Sequence, residues 1–378
     1  MFAQKKELSQ ARTYIKSKKN YDKAEQLMTT LLRDSVNRDN KRIYITWLEA
    51  VKGQYDQANE KLYLKQKQDT TAFFSLTERM FTIAETLDSL DARPDKKVRI
   101  RPEHRQKNAA MLNTYRPNLY NAGTFFIRKN KWKEAAEYLT TYIDCARQPL
   151  FAEYNYDSTD RRLPDAAYWV TYCGYKQHDA ATTLRYQPLA LNDTAYNDFI
   201  LQFTAEAYLW RGDTAKYIET LEEGFRRFPQ FNYFFPRLID ILTNTGQDSK
   251  ALAVADSALQ VCDSCEIFLF AKSSVLLRME RWQESTTYSE KLIHQNDSLP
   301  EAYFNAGTAF LKMAEAVNKK EQRNLFRTYS QKARTYMEYY RRLKPDEKKK
   351  WAPALYRIYL NLNLGRQFDE IDRLLKEI

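Results

Sequence analysis

An all-α fold of stacked helical hairpins is what this 378-residue sequence predicts, and three observations predict it. Residues recur at a spacing of 34: Gly212 and Gly246, Tyr21 and Tyr55, Ala24 and Ala58, and the series Asn244, Arg278 and Lys312. Self-similarity at that period marks a helical hairpin too small to bury its own apolar face, which is covered by stacking on its neighbours. Breakers are scarce, with 8 Gly and 11 Pro, while 27 Tyr and 20 Phe supply bulk in a chain that is 43% hydrophobic. That balance suits long packed helices. No apolar run reaches the roughly 18 residues that a membrane helix needs.

The elements follow in order. Residues 5–17 and 21–34 form a first hairpin, with Asn20-Tyr21-Asp22-Lys23-Ala24 as its turn and second-helix start. Gly53-Gln54-Tyr55-Asp56-Gln57-Ala58 repeats this one period later, which predicts a second hairpin turning at Gly53. A third hairpin is longer, since Phe73, Leu76, Met80, Ile83 and Leu87 keep helical spacing through about residue 91. The segment from Arg93 to Pro102 breaks it. Helix is expected to resume from about 103 to 115, before Pro117 opens the next unit.

Turn formers crowd the segment Gln148 to Pro164, which predicts a loop. A degenerate repeat at 165–191 follows. Blocks starting near 198, 232, 266 and 300 then place Tyr208, Leu242, Leu276 and Phe310 in register, with Ala205, Ile239, Ser273 and Gly307 at a small-residue position. Ala333-x3-Met337 and Pro345 fit the same frame only if 14 residues are inserted after Phe310, about two turns in each helix. A last hairpin from Leu355 to Leu375 ends in Asp372, Arg373, Lys376 and Glu377, the polar face that a terminal repeat requires.

The motif Leu119-x2-Ala122-Gly123-x2-Phe126, followed by Trp132 and Ala135-x3-Leu139, resembles the tetratricopeptide repeat (TPR) pattern. Tyr303-x2-Ala306-Gly307-x2-Phe310 repeats it, and Asn-Ala-Gly-Thr stands at both 121–124 and 305–308. Those copies are 184 residues apart, five periods plus 14, so an insertion lies between them. Two positions depart from the pattern: Ser289 replaces a large second-helix residue, and Leu, Phe or Tyr replaces the consensus Trp. The resemblance implies about eight to ten hairpins wound into a right-handed superhelical solenoid. Its first helices would line a concave groove that holds peptides or proteins. The expected division is 1–145, with an irregular third unit, then 146–197 as loop and degenerate repeat, then 198–378 as the regular array with an elongated hairpin near 300–345 and a cap.

Carrying the family's groove positions onto this chain selects Arg128, Trp210, Asn244, Arg278 and Lys312 at the thirteenth position of each unit. At the sixth it selects Asn121, Phe203, Arg237, Ala271, Asn305 and Arg357. Amides and guanidinium groups donate directional hydrogen bonds to carboxylate oxygens, so the set suits an acidic or carboxylate-ended segment of a protein or peptide partner. The same residues also read as solvated faces of first helices. The formal charge of +11 is spread along the chain with Asp and Glu interleaved. Anionic polymer or nucleic acid is the alternative partner, without a recognition motif to support it. The aromatic run Phe151-Ala152-Glu153-Tyr154-Asn155-Tyr156 is a second binding candidate, or else folds back to plug an imperfect junction.

Catalytic and cofactor motifs are missing. Seven of the 8 glycines occupy repeat positions, namely Gly53, Gly212, Gly246 and Gly365 at turns, Gly123 and Gly307 at close contacts, and Gly224 on a second helix, so no phosphate-cradling loop can be built. His104, His178 and His294 are scattered. An enzyme, a cofactor and a small-molecule substrate are not expected. Cys262-Asp263-Ser264-Cys265 reads as two ordinary cysteines, as a local disulfide if the chain is exported, or as half of a metal site whose other ligands do not follow. Cys145 and Cys173 are a further possible pair. The start Met1-Phe2-Ala3-Gln4-Lys5 resembles what signal-peptide removal leaves. That reading, with the chain's likeness to exported bacterial TPR proteins, predicts a periplasmic or cell-surface location, with the cytoplasm as the alternative.

Overall fold

The computed structural model describes residues 2–94, 100 and 102–377, and among them every regular element is helical. The chain divides into two compact units, Met1–Tyr217 and Ile218–Ile378.

The first unit begins with the hairpin α1 (Phe2–Lys16) and α2 (Tyr21–Leu31), as the sequence predicts. It continues with α3 (Lys41–Tyr63), α4 (Thr70–Asp91), α5 (Arg105–Arg128) and α6 (Trp132–Asp144), each packed on the next. Side chains set the starts: Asn40 accepts from the Arg42 amide at α3, and Asp69 accepts from the Thr71 and Ala72 amides at α4. Two expected breaks do not occur. Gly53 lies inside α3, where the absent Cβ leaves room for the Tyr21 ring; the glycine marks a close approach of helices rather than a turn. The helix also runs through Pro117, because Ala109, Leu112, Leu119 and Ala122 bury one continuous face on both sides of it. That burial outweighs one lost backbone hydrogen bond. Of the break expected from Arg93 to Pro102, residues 95–99 and 101 lie outside the described residues.

Residues 145–162 do not wander. Two 3₁₀ turns and the short α7 (Tyr156–Thr159) fold them against the core, with Leu150, Phe151 and Tyr156 buried. Phe151 stacks on Phe81 of α4 at 5.7 Å between ring centres. The aromatic run is therefore a plug, as the second of its two readings held. Next come α8 (Leu163–Lys176), the short α9 (Ala180–Arg185) and α10 (Gln187–Ala190), and α11 (Asn197–Trp210). Cys145 and Cys173 are buried free thiols, not a disulfide. α12 (Thr214–Arg227) contains the division between the units.

The second unit holds the rest of α12 and then α13 (Phe234–Asn244), α14 (Asp248–Val261), α15 (Glu266–Arg278), α16 (Trp282–Gln295), α17 (Pro300–Ala316), α18 (Arg323–Leu343), α19 (Lys348–Leu362) and α20 (Gly365–Leu375). From α13 onward each helix packs on its successor. The predicted 14-residue excess is present but unevenly shared. α17 has 17 residues against 13 in α15, α18 has 21 against 14 in α16, and the connection lengthens from three residues to six. Ser289, the departure from the expected large residue, belongs to a buried polar cluster. Its hydroxyl lies 2.6 Å from that of Ser273, and Ser285 Oγ donates to the Ser273 carbonyl at 2.8 Å.

Cys262 and Cys265 form a disulfide between the end of α14 and the start of α15. Closing so short a loop restricts the unfolded chain only modestly. Replacing both cysteines with serine is expected to lower stability by about 2 kcal/mol, read as a shift of the urea midpoint; no shift between the variant and the oxidised parent would refute it.

The 34-residue beat is most regular in the backbone. From α5 to α15 the left-handed residues that end first helices stand at Asn130, His178, Gly212, Gly246 and Glu280, separated by 34 residues or by 34 plus 14, while Lys18 after α1 and Asn363 after α19 fall outside the beat. Only two are glycines, so the turn repeats where the sequence signal for it does not.

Candidate functional site

Four of the five thirteenth-position residues share one place in the fold, while Lys312 lies inside the longer α17. Arg128, Trp210, Asn244 and Arg278 are each the last residue of a first helix, α5, α11, α13 and α15. Lys176 holds the same place on α8. A cation there complements the negative end of the helix dipole, so Arg128, Lys176 and Arg278 have a local structural reason to be basic.

The predicted residues separate in their surroundings. In the first unit Asn121 and Arg128 are exposed on α5. In the second, Arg278 is a staple between hairpins: its Nε donates to Asp248 at 3.0 Å and its terminal nitrogen to the Thr243 carbonyl at 3.0 Å. Lys312 pairs with Glu315 at 3.1 Å, and Glu315 also takes Arg357 at 3.2 Å. Arg237 lies over the Tyr233 ring, 3.9 Å from its centre, while Asn244 is exposed. Ala271 is buried. Asn305 is buried too, and donates to Ser273 and Ser274 hydroxyls at 3.2 and 2.9 Å. It is committed to the core hydroxyl cluster and not open to a partner.

The structure adds a feature that sequence reasoning missed. Half-buried aromatic rings run from α8 to α11 in the first unit. Tyr172 meets Trp169 and Trp132 edge to face and touches Phe203; Tyr175 stacks on Phe203 at 4.4 Å and on Trp210 at 5.9 Å; His178 lies 4.9 Å from Trp210. Phe199, 41% exposed, extends the run through Phe203. The Lys176 ammonium stands over Tyr172 and Trp132 at 5.6 and 5.9 Å. A signal for these rings did exist. Trp169 follows Asn121 by 48 residues, one period plus 14, and Lys176 follows Arg128 by the same interval. Small residues Ala167 and Gly174 stand where the motif has large ones, which hid the register.

Elsewhere in the first unit the chain is held by a buried arginine of α5. Arg116 is 5% exposed and lies between the Tyr142 and Tyr156 rings, 3.8 and 3.9 Å from their centres. It donates to Asp160 at 2.5 Å, to Cys145 Sγ at 3.1 Å and to the Tyr142 carbonyl at 3.1 Å. Burial works to raise the Asp160 pKa, but hydrogen bonds from Tyr142 and Arg116 outweigh it and hold the carboxyl below its usual range. Burial pushes the Cys145 thiol up to about 12 against the pull of Arg116, so it remains a thiol. On α4, burial and then the neighbouring Asp144 raise Glu85 to about 7; Glu78 is raised by burial and Glu137.

Among the described residues no group of His, Cys, Asp and Glu is arranged to hold a metal ion, and no helix is long and apolar enough to cross a membrane. The Cys262–Cys265 sulfurs are joined to each other.

No known protein family's profile matches the chain, and no curated protein matches its sequence. Solved structures do. The C-terminal part of a TPR repeat-containing protein from Cytophaga hutchinsonii is 10% identical, with 67% of this chain and 92% of that one covered at a TM-score of 0.46. MamA from Desulfovibrio magneticus RS-1, from residue 41 to its end, is 18% identical over 48% of this chain and 96% of that one, at 0.38. Yeast Tom70 is 11% identical over 99% and 91%, at 0.37. The helical hairpins of this chain, with their 34-residue repeat of turns and their motif at 119–139 and 303–310, make it a TPR-like all-α repeat protein.

Proposed function

We propose that this protein is a non-enzymatic scaffold that holds a protein or peptide partner, with the aromatic face of α8 and α11 as the principal contact. The observation that carries the reading is the run from Trp169 through Tyr172 and Tyr175 to Trp210, large rings left half exposed on rigid helices. Trp and Tyr bury much area at small entropic cost, which is why they dominate binding energy at protein interfaces. Lys176, Arg128 and Asn121 beside the run favour a segment that carries carboxylates. In the second unit the corresponding cations Arg278 and Lys312 already have carboxylate partners. The first unit is therefore the better binding face.

Cross-linking in the native cell followed by pull-down identifies the partner. The variant Tyr175→Ala/Trp210→Ala is expected to bind it at least about thirtyfold more weakly, while Arg278→Gln binds as the parent does. Equal binding by the ring variant would remove this face from consideration. Steep salt dependence with random single-stranded nucleic acid would favour the polymer reading instead. We also place the protein in an oxidising, exported compartment, which the Cys262–Cys265 disulfide supports. Rapid alkylation of intact cells that labels both cysteines would overturn that assignment.

A further inference from the structure

The elongated hairpin of the second unit encloses an open cavity of 530 Å³ between the start of α18 and the end of α19. Three cations line it: Lys319 in the connection before α18, and Arg323 and Arg327 on its first turns. All three side chains are exposed, and among the described residues none has an ion-pair partner. Asn361 and Asn363, at the end of α19, line the opposite side.

Local electrostatics argue against this arrangement in a chain that binds nothing there. Arg323 is the first residue of α18, where the helix dipole disfavours a positive charge; the nearest acid in sequence, Glu321, stands in the connection before it and not in that first turn. Gln322 provides no side-chain cap for the helix amides. Arg323 and Arg327 are four apart, so their like charges face each other on one helix surface. One anion in the cavity reverses all three penalties, because it pairs the guanidinium groups, meets the dipole and accepts from the free amides. Sites that break local rules without structural return are where function is to be sought.

We infer that this cavity binds a phosphate monoester. Three cations around one cavity favour an anion of charge about −2 over the single charge of a carboxylate, and arginine forks match the oxygens of phosphate in pairs. The cavity exceeds the volume of the anion alone. Phe326, itself under the Lys319 ammonium at 4.8 Å, and Leu360, 59% exposed, supply an apolar wall for the organic part of the ester.

The test uses the full chain at low ionic strength with phenyl phosphate as probe, by calorimetric titration. Saturable binding is expected, with inorganic phosphate competing. Arg323→Gln or Arg327→Gln is expected to weaken it about tenfold, whereas Lys348→Gln, the same charge change at an exposed lysine of α19, leaves it unchanged. Without ligand the arginine variants are expected to melt no lower than the parent, because repulsion is relieved. No saturable binding, an equal loss in Lys348→Gln, or a marked fall in melting temperature of the arginine variants overturns the inference. Flotation with phosphatidylcholine vesicles carrying phosphatidate separates two sources of the same chemistry. Arg323-dependent flotation assigns a lipid headgroup, and binding of the soluble probe alone assigns a soluble ester.

Discussion

Replacing Arg116 with alanine is expected to destabilise the first unit by about 3–5 kcal/mol. The guanidinium joins α5 to α6 and to the segment after it through three hydrogen bonds and two ring contacts. Without it Asp160 keeps only the Tyr142 hydroxyl, at 2.5 Å, and the backbone amide of Arg162 in a site mostly closed to water. A stranded carboxylate costs more than a missing pair. Arg116→Met/Asp160→Asn should therefore recover part of the loss, and a double-mutant cycle measures the coupling. Hydrogen exchange locates the effect, with amides in 148–164 expected to lose protection first. A loss below about 1 kcal/mol, or unchanged protection of that segment, would show that Phe151 and Leu150 alone hold the plug.

Glu85→Gln is expected to stabilise the protein at pH 8 by up to about 3 kcal/mol and to have little effect at pH 4. The cause is the raised pKa, from 4.5 to about 7, produced by burial and by Asp144. The sign follows from proton binding. Between those values the folded protein holds a proton that the unfolded chain has released, so stability falls as pH rises through the window and the loss is complete above it. Glu78 contributes in the same direction. Urea midpoints of parent and variant at several pH values give the difference directly. Parallel pH curves for the two proteins would mean that the carboxyl is more hydrated than its burial beside Asp144 implies.

Neither effect was legible in the sequence. Arg116 drew no reading from the sequence, which does not reveal that Tyr142 and Tyr156, 26 and 40 residues later, close over it. The aromatic face was half legible. Phe203 and Trp210 followed from the repeat frame, whereas Trp169, Tyr172 and Tyr175 were lost because Ala167 and Gly174 occupy positions that the frame fills with large residues. Their burial is instead supplied by the short α9 and α10, which pack on α8. Asn305 shows the opposite case. Its place in the frame was right and its role was not, since the polar cluster of Ser273, Ser285 and Ser289 drew it inward.

By itself the sequence determined the repeat: its 34-residue period, the all-helical class, the regular blocks from 198 onward and the size of the 14-residue excess. Such periodicity is local and additive, because each hairpin repeats the same short-range pattern of apolar and small residues. Tertiary structure alone decided whether Gly53 and Pro117 end helices, where the plug at 148–164 rests, and which cations are paired. Those outcomes depend on side chains brought together from distant positions, where a ring fitted against a glycine or a carboxylate beside an arginine outweighs the local propensity that a sequence displays.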